Sequence, residues 1–246
     1  MDRLVYVAMS GAKEILQAQA ANNSNLANAS TTGFRADLSA FQTEQLSGAG
    51  LPSRAYATDA SVGWDASSGE LQTTGRPLDV AIRGPGWIAV QANDGSEAYT
   101  RAGDLRVDSS GLLMTALGNP VLSDSGPITV PPQTSIAIGA DGSVSIVPQG
   151  QPASTVSAVG RLKLVNPPAA DLTRGADGLF RSTSGVAVTS DANVRLIPGT
   201  LESSNVNIAA SMANMIELAR NYEVQIKAMK SAEDNAAASS KLLQPS

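Results

Sequence analysis

Glycine and proline are nearly absent from both ends of this 246-residue chain and crowded into its middle. Of 22 glycines and 13 prolines, 21 and 12 lie between residues 33 and 199; only Gly11 precedes them and only Pro245 follows. Proline removes a backbone donor, and a helical glycine costs about 1 kcal/mol relative to alanine. Long helices are therefore favoured at the ends and tight turns in the centre. The ends also carry a helical period. Leu4, Ala8, Gly11, Ile15, Ala18 and Asn22 recur at alternating steps of four and three, as do Ile208, Met212, Met215, Ala219, Tyr222, Ile226 and Met229. Each set is a heptad seam. The spacing predicts helices over about residues 3–28 and 206–243, the second capped by Asn205 or Asn207. Stripes this narrow would be exposed on lone helices and need cover, from the central domain or from other helices.

The middle reads as short β-branched runs: Leu78–Ile82, Trp87–Val90, Leu105–Val107, Ile128–Val130, Ile136–Ile138, Val144–Val147, Arg161–Val165 and Val186–Val188. Turn signals such as Gly84-Pro85-Gly86, Asn93-Asp94-Gly95 and Ala140-Asp141-Gly142 separate them. No helical pattern intervenes, so βαβ units are not expected. The expected class is α+β, with terminal helices and a central, mainly antiparallel, irregular β domain. Residues 1–35 and 200–246 form the helical part and 75–199 the β domain. Residues 36–74 read as an extended connector or peripheral hairpin, the stretch from Glu44 to Gly75 being polar and thin in long apolar side chains, and 148–157 as a loop.

Composition narrows the chemistry. The chain has no histidine and no cysteine, so a His base, a Cys nucleophile and Cys/His metal sites are excluded. The net charge of −5 and the lack of a basic run argue against nucleic acid. No cofactor is expected. The apolar start Leu4–Met9 is too short for a signal-peptide core, and the uncharged stretch from Ile15 to Phe34 is too polar to cross a bilayer, so neither a cleaved signal nor membrane insertion is expected.

Few patterns suggest catalysis. Ser10-Gly11-Ala12-Lys13 fits the S-x-x-K form of acyl-transfer enzymes, but its companion motifs are missing, and two side chains on one helix face explain it as well. Asp104 and Asp108 could pair across a turn, though the calcium-loop pattern is not met. Trp64, Trp87 and Tyr99 are the obvious stacking residues for a carbohydrate-binding or adhesin module built on the β centre. More distinctive are Asn22, Asn23, Asn25 and Asn28. Asparagine is a poor helix former because its amide competes for backbone hydrogen bonds, so four in seven residues imply partners for those amides. Either the helix frays there, or the amides form a buried polar ladder between chains that fixes register.

These residues resemble a known family. Asn25-Leu26-Ala27-Asn28-Ala29-Ser30-Thr31-Thr32-Gly33-Phe34-Arg35 is similar to the N-terminal signature of bacterial flagellar rod and hook proteins, with Asn23-Ser24-Asn25 where Ala-Asn-Asn is usual. Pro77–Trp87, Tyr99-Thr100-Arg101-Ala102-Gly103-Asp104-Leu105, Asp177–Arg181 and Leu201-Glu202-Ser203-Ser204-Asn205-Val206-Asn207 follow in the family's order. Met1–Tyr6, Met215–Glu223 and Met229–Asn235 look like the proximal-rod type, the distal-rod type being the alternative.

The resemblance implies a structural protein, not an enzyme. It implies export through the flagellar type III channel without a cleaved signal, and residence in the periplasmic rod. The terminal helices would pair as a coiled coil lining a torque-bearing tube. The partners implied are further copies of the chain and other axial proteins. The assembly interface would comprise Leu4, Ala8, Gly11, Ile15, Ala18, Asn22, Asn25, Leu26, Asn28, Ile208, Met212, Met215, Ala219, Tyr222, Ile226 and Met229.

Overall fold

The computed structural model describes residues 2–45, 55–152 and 154–242. They divide into two compact units.

The first unit holds the two helices, α1 (Asp2–Ala27) and α2 (Ile208–Leu242), and an antiparallel hairpin of strands Asp37–Gln45 and Ala55–Trp64. At 1.5 Å per residue the helices are roughly 39 and 52 Å long. Ala8, Ala12, Ile15 and Ala18 are buried along one side of α1. The Asn22 amide donates to the Ser211 carbonyl, and Gly11 faces the Gln225 side chain, so the helices run antiparallel at these contacts. A Cβ on Gly11 would stand 3.3 Å from that side chain, a close approach that the flexible end of Gln225 would have to yield to. Asn207 caps α2: its Oδ1 accepts from the Ala210 amide at 3.0 Å.

The second unit comprises 30–35 and 66–205. Its largest sheet has five antiparallel strands in the order Leu164–Val165, Trp87–Gln91, Glu97–Thr100, Phe180–Ser182, Leu172–Arg174. A three-stranded sheet joins Gln133–Ile138, Ser143–Pro148 and Ser157–Arg161. Shorter ladders pair Val80–Arg83 with Arg195–Pro198 and Leu71–Thr73 with Thr200–Glu202. Aliphatic side chains fill the core, among them Val80, Ile88, Val90, Leu105, Leu113, Val121, Val144 and Leu162.

Three expected strands differ. Arg161–Val165 is broken, because Leu162 donates to the Gly142 carbonyl and Lys163 to that of Leu122 before pairing resumes at Leu164. Ile128–Val130 contributes a bridge between Thr129 and Leu112 and single bonds from Leu113 to Ile128, from Ile128 to Val121 and from Val130 to Gly111. Val186–Val188 is not a strand: Val186 is exposed, and the Val188 amide is spent on the Tyr99 hydroxyl. Its alternating β-branched residues have no neighbouring strand to pair with.

Candidate assembly site

Within the helical unit the structure sorts the seam residues. On α1, Ala8, Ile15, Ala18, Asn22 and Asn25 are buried, and Gly11, Leu26 and Asn28 are half-buried; the Leu4 side chain lies outside the described residues. On α2, Met215, Tyr222 and Met229 are half-buried, whereas Ile208, Met212, Ala219 and Ile226 are exposed. The covered column of α2 is Ser211, Met215, Leu218, Tyr222, Gln225, Met229 and Ala232, again at steps of four and three. Two polar residues in that column, Ser211 and Gln225, are those that meet Asn22 and Gly11. Sequence reasoning missed them because it followed the more apolar column beside them.

The asparagines are held within the chain. Asn25 clamps the start of the hairpin: its Nδ2 donates to the Asp37 carbonyl at 2.9 Å, and its Oδ1 accepts from the Asp37 amide at 2.7 Å. Asn28 donates to the Ser24 carbonyl one turn back, and Asn22 to Ser211 as above. These bonds lie inside one molecule. The physical reason is local: α1 passes both α2 and the first residues of the hairpin, which offer backbone groups within amide reach.

In the β unit, three distant signature segments converge on one carboxylate. The Arg35 Nη2 meets Glu202 Oε1 at 2.6 Å and the Arg101 Nη1 meets Oε2 at 2.9 Å, with relative side-chain exposures of 1%, 1% and 5% for Arg35, Glu202 and Arg101. The Gly69 amide also donates to Oε1, and Arg101 Nη2 to the Gly84 carbonyl. Backbone bonds from Gly33 to the Glu202 carbonyl and from Asn205 to the Phe34 carbonyl tie 33–34 to 202–205. Arg174 donates to the Arg35 carbonyl and lies 4.1 Å over the Phe34 ring. Burial pulls the Arg101 guanidinium below its ordinary value, opposed by the charge of Glu202. Charges this dry are costly unless paired, and here each arginine has its own carboxylate oxygen.

Glycine permits the convergence. Gly33 has φ 67°, and a Cβ there would fall 2.3 Å from the Arg101 carbonyl carbon. At Gly69 a Cβ would fall 2.0 Å from the Ser203 carbonyl oxygen.

The other patterns resolve simply. The Ser10 hydroxyl donates to the Val7 carbonyl within its own helix. Asp108 closes a turn, accepting from the Ser110 and Leu112 amides and the Ser110 hydroxyl, which hold its carboxyl below the usual range. Asp104 instead bridges Asp79, and burial, with the neighbouring Asp79 charge, pushes its carboxyl up. Trp87 and Tyr99 are buried and Trp64 is half-buried; Trp87 packs on Phe180 at 4.5 Å, so its ring is spent in the interior. Among the described residues no cluster of three or more acidic side chains could hold a metal ion, and no helix is long and apolar enough to cross a membrane.

Two family models match the chain: the flagellar hook protein FlgE/F/G D1 domain over residues 81–146, and the flagellar basal body rod FlgEFG protein C-terminal region over 197–242. Both fit the architecture above, a β unit followed by a long C-terminal helix. The chain is 46% identical to the flagellar basal-body rod protein FlgF of Escherichia coli, covering 99% of each chain. It is 43% identical to FlgF of Salmonella typhimurium at the same coverage, and 33% identical to FlgG of Buchnera aphidicola over 86% of this chain and 88% of that one. The chain belongs to the flagellar basal-body rod protein family.

Proposed function

We propose that this chain is a structural subunit of the flagellar basal-body rod, of the proximal type, acting mechanically. The observation that carries the reading is the full-length likeness to FlgF-named proteins, strengthened by the meeting of the Gly33-Phe34-Arg35, Arg101 and Glu202 segments in one buried tie. Residues 1–35 and 200–246 are the assembly element. Their helices pair as a coiled coil, and neighbouring subunits set these pairs side by side into a tube. Residues 75–199 form the outer wall, and 36–74 are an extended connector or peripheral hairpin. Heterologous contacts between identical subunits generate rings where the rotation closes and open helical arrays where it does not, and the second outcome suits a shaft. Other axial proteins continue the shaft above and below, and the subunit reaches the periplasm through the flagellar export channel.

Complementation tests this. In a motile bacterium lacking its own FlgF-type gene, the intact chain is expected to restore rods and swimming and to co-purify with hook–basal bodies. A chain that is made and folded but absent from purified basal bodies would overturn the reading.

A further inference from the structure

A groove of about 400 Å³ opens within the helical unit, between α1, α2 and the start of the hairpin. Its apolar lining includes Ala18 and Ala21 of α1, Leu218 of α2 and Leu38; its charged residues are Asp37 and Glu217, both anionic. The small side chains of α1 leave the groove wide, and its rim carries no cation. On a different face α1 presents a second stripe. Tyr6, Met9, Lys13, Leu16 and Ala20 follow steps of three and four, all are exposed, and the one charge among them is cationic. At 100° per residue the centre of this stripe lies roughly 150° around the helix from the groove-lining residues.

We infer that the groove receives the outer stripe of α1 from a second copy of this chain, with Met9 and Leu16 as apolar knobs and Lys13 paired with Glu217. This deepens the proposed rod function and rests on it. The knobs meet Ala18, Ala21, Leu38 and Leu218 beside the asparagines that also line the groove, and the lone cation matches an anionic rim. The two surfaces lie on nearly opposite sides of one helix, so a molecule using one still offers the other. Such a contact is heterologous, and where its rotation does not close into a ring it repeats along a helical array.

The chain contains no cysteine of its own, so any disulfide between two copies comes from introduced cysteines. Leu16→Cys and Asn221→Cys, the latter at the groove, are placed in separately tagged copies and co-expressed in the complemented strain, with Val186→Cys replacing Leu16→Cys as the control. Basal bodies containing both tags and a disulfide-linked pair carrying both, absent with the control, are the expected result. Both tags in basal bodies without that pair would overturn the groove contact and leave the rod function standing. Absence of the chain from basal bodies would overturn both. With the cysteine pair in place, Lys13→Glu is expected to lower the yield of linked pair about tenfold and Glu217→Lys in the other copy to restore it. Both residues are exposed, so folding is unaffected. An unchanged yield would overturn the Lys13–Glu217 pairing.

Discussion

Glu202 is the residue on which the β unit's signature segments depend. Removing its charge leaves two buried guanidinium groups without their carboxylate, so Glu202→Gln is expected to cost about 3–5 kcal/mol in chemical denaturation. Replacing Arg35, Arg101 and Glu202 together by methionine removes the charges as a set and is expected to leave stability close to that of the unmodified chain. A triple variant as unstable as Glu202→Gln would show that the arginines contribute more than charge balance. Titration gives a second prediction at this scale. Asp94, Asp108, Asp141 and Asp177 are held low, each chiefly by hydrogen bonds from a neighbouring side chain. Their folded values lie below the unfolded ones, so the stability they contribute is present above about pH 4 and is lost as pH falls through the folded values. Asp104 has the opposite sign. Its folded value is raised, so its ionisation at neutral pH costs stability, and the cost disappears as the group takes up its proton in acid. Asp104→Asn is therefore expected to raise the melting temperature at pH 7 and to leave it little changed near pH 3, as calorimetry at the two values would show.

Among the elements, the helices were the most legible part of the chain. Freedom from glycine and proline together with a 3-4 period placed them to within about two residues of Asp2–Ala27 and Ile208–Leu242. On α1 the period also picked out Ala8, Ile15 and Ala18 as the covered side. On α2 it shares Met215, Tyr222 and Met229 with the covered column but otherwise departs from it, because Ile208, Met212 and Ile226 are more apolar than Ser211 and Gln225, which face α1. Hydrophobicity alone cannot reveal that the Ser211 carbonyl receives the Asn22 amide or that the Gln225 side chain lies against Gly11. The partners of the asparagine amides were hidden for the same reason: the Asp37 backbone beside Asn25 is set by the hairpin's approach. Asn25→Ala removes both bonds, exchanging a closed pair for a buried amide and carbonyl in need of partners. It is expected to cost about 1–3 kcal/mol, with faster hydrogen exchange at Asp37 than in the unmodified chain. Among the strands, β-branched runs between glycine turns were legible, and Val186–Val188 was misread because pairing is a property of neighbours. The carboxylate tie was not legible at all: Arg35, Arg101 and Glu202 are far apart in sequence, and their family signatures gave only the segments, not their meeting point.

At the scale of the whole molecule, the chain passes repeatedly between its two compact units, at residues 29–30, 35–36, 65–66 and 205–206. Two of these passages adjoin the segments fixed by Arg35 and Glu202. The central claim, that α1 and α2 build the shaft, is tested most directly by electron cryomicroscopy of basal bodies assembled with this chain. Paired helical density roughly 39 and 52 Å long, lining the channel and repeating from copy to copy, is expected. Rods in which this subunit is present but its two helices face away from the channel and touch no neighbouring subunit would contradict it.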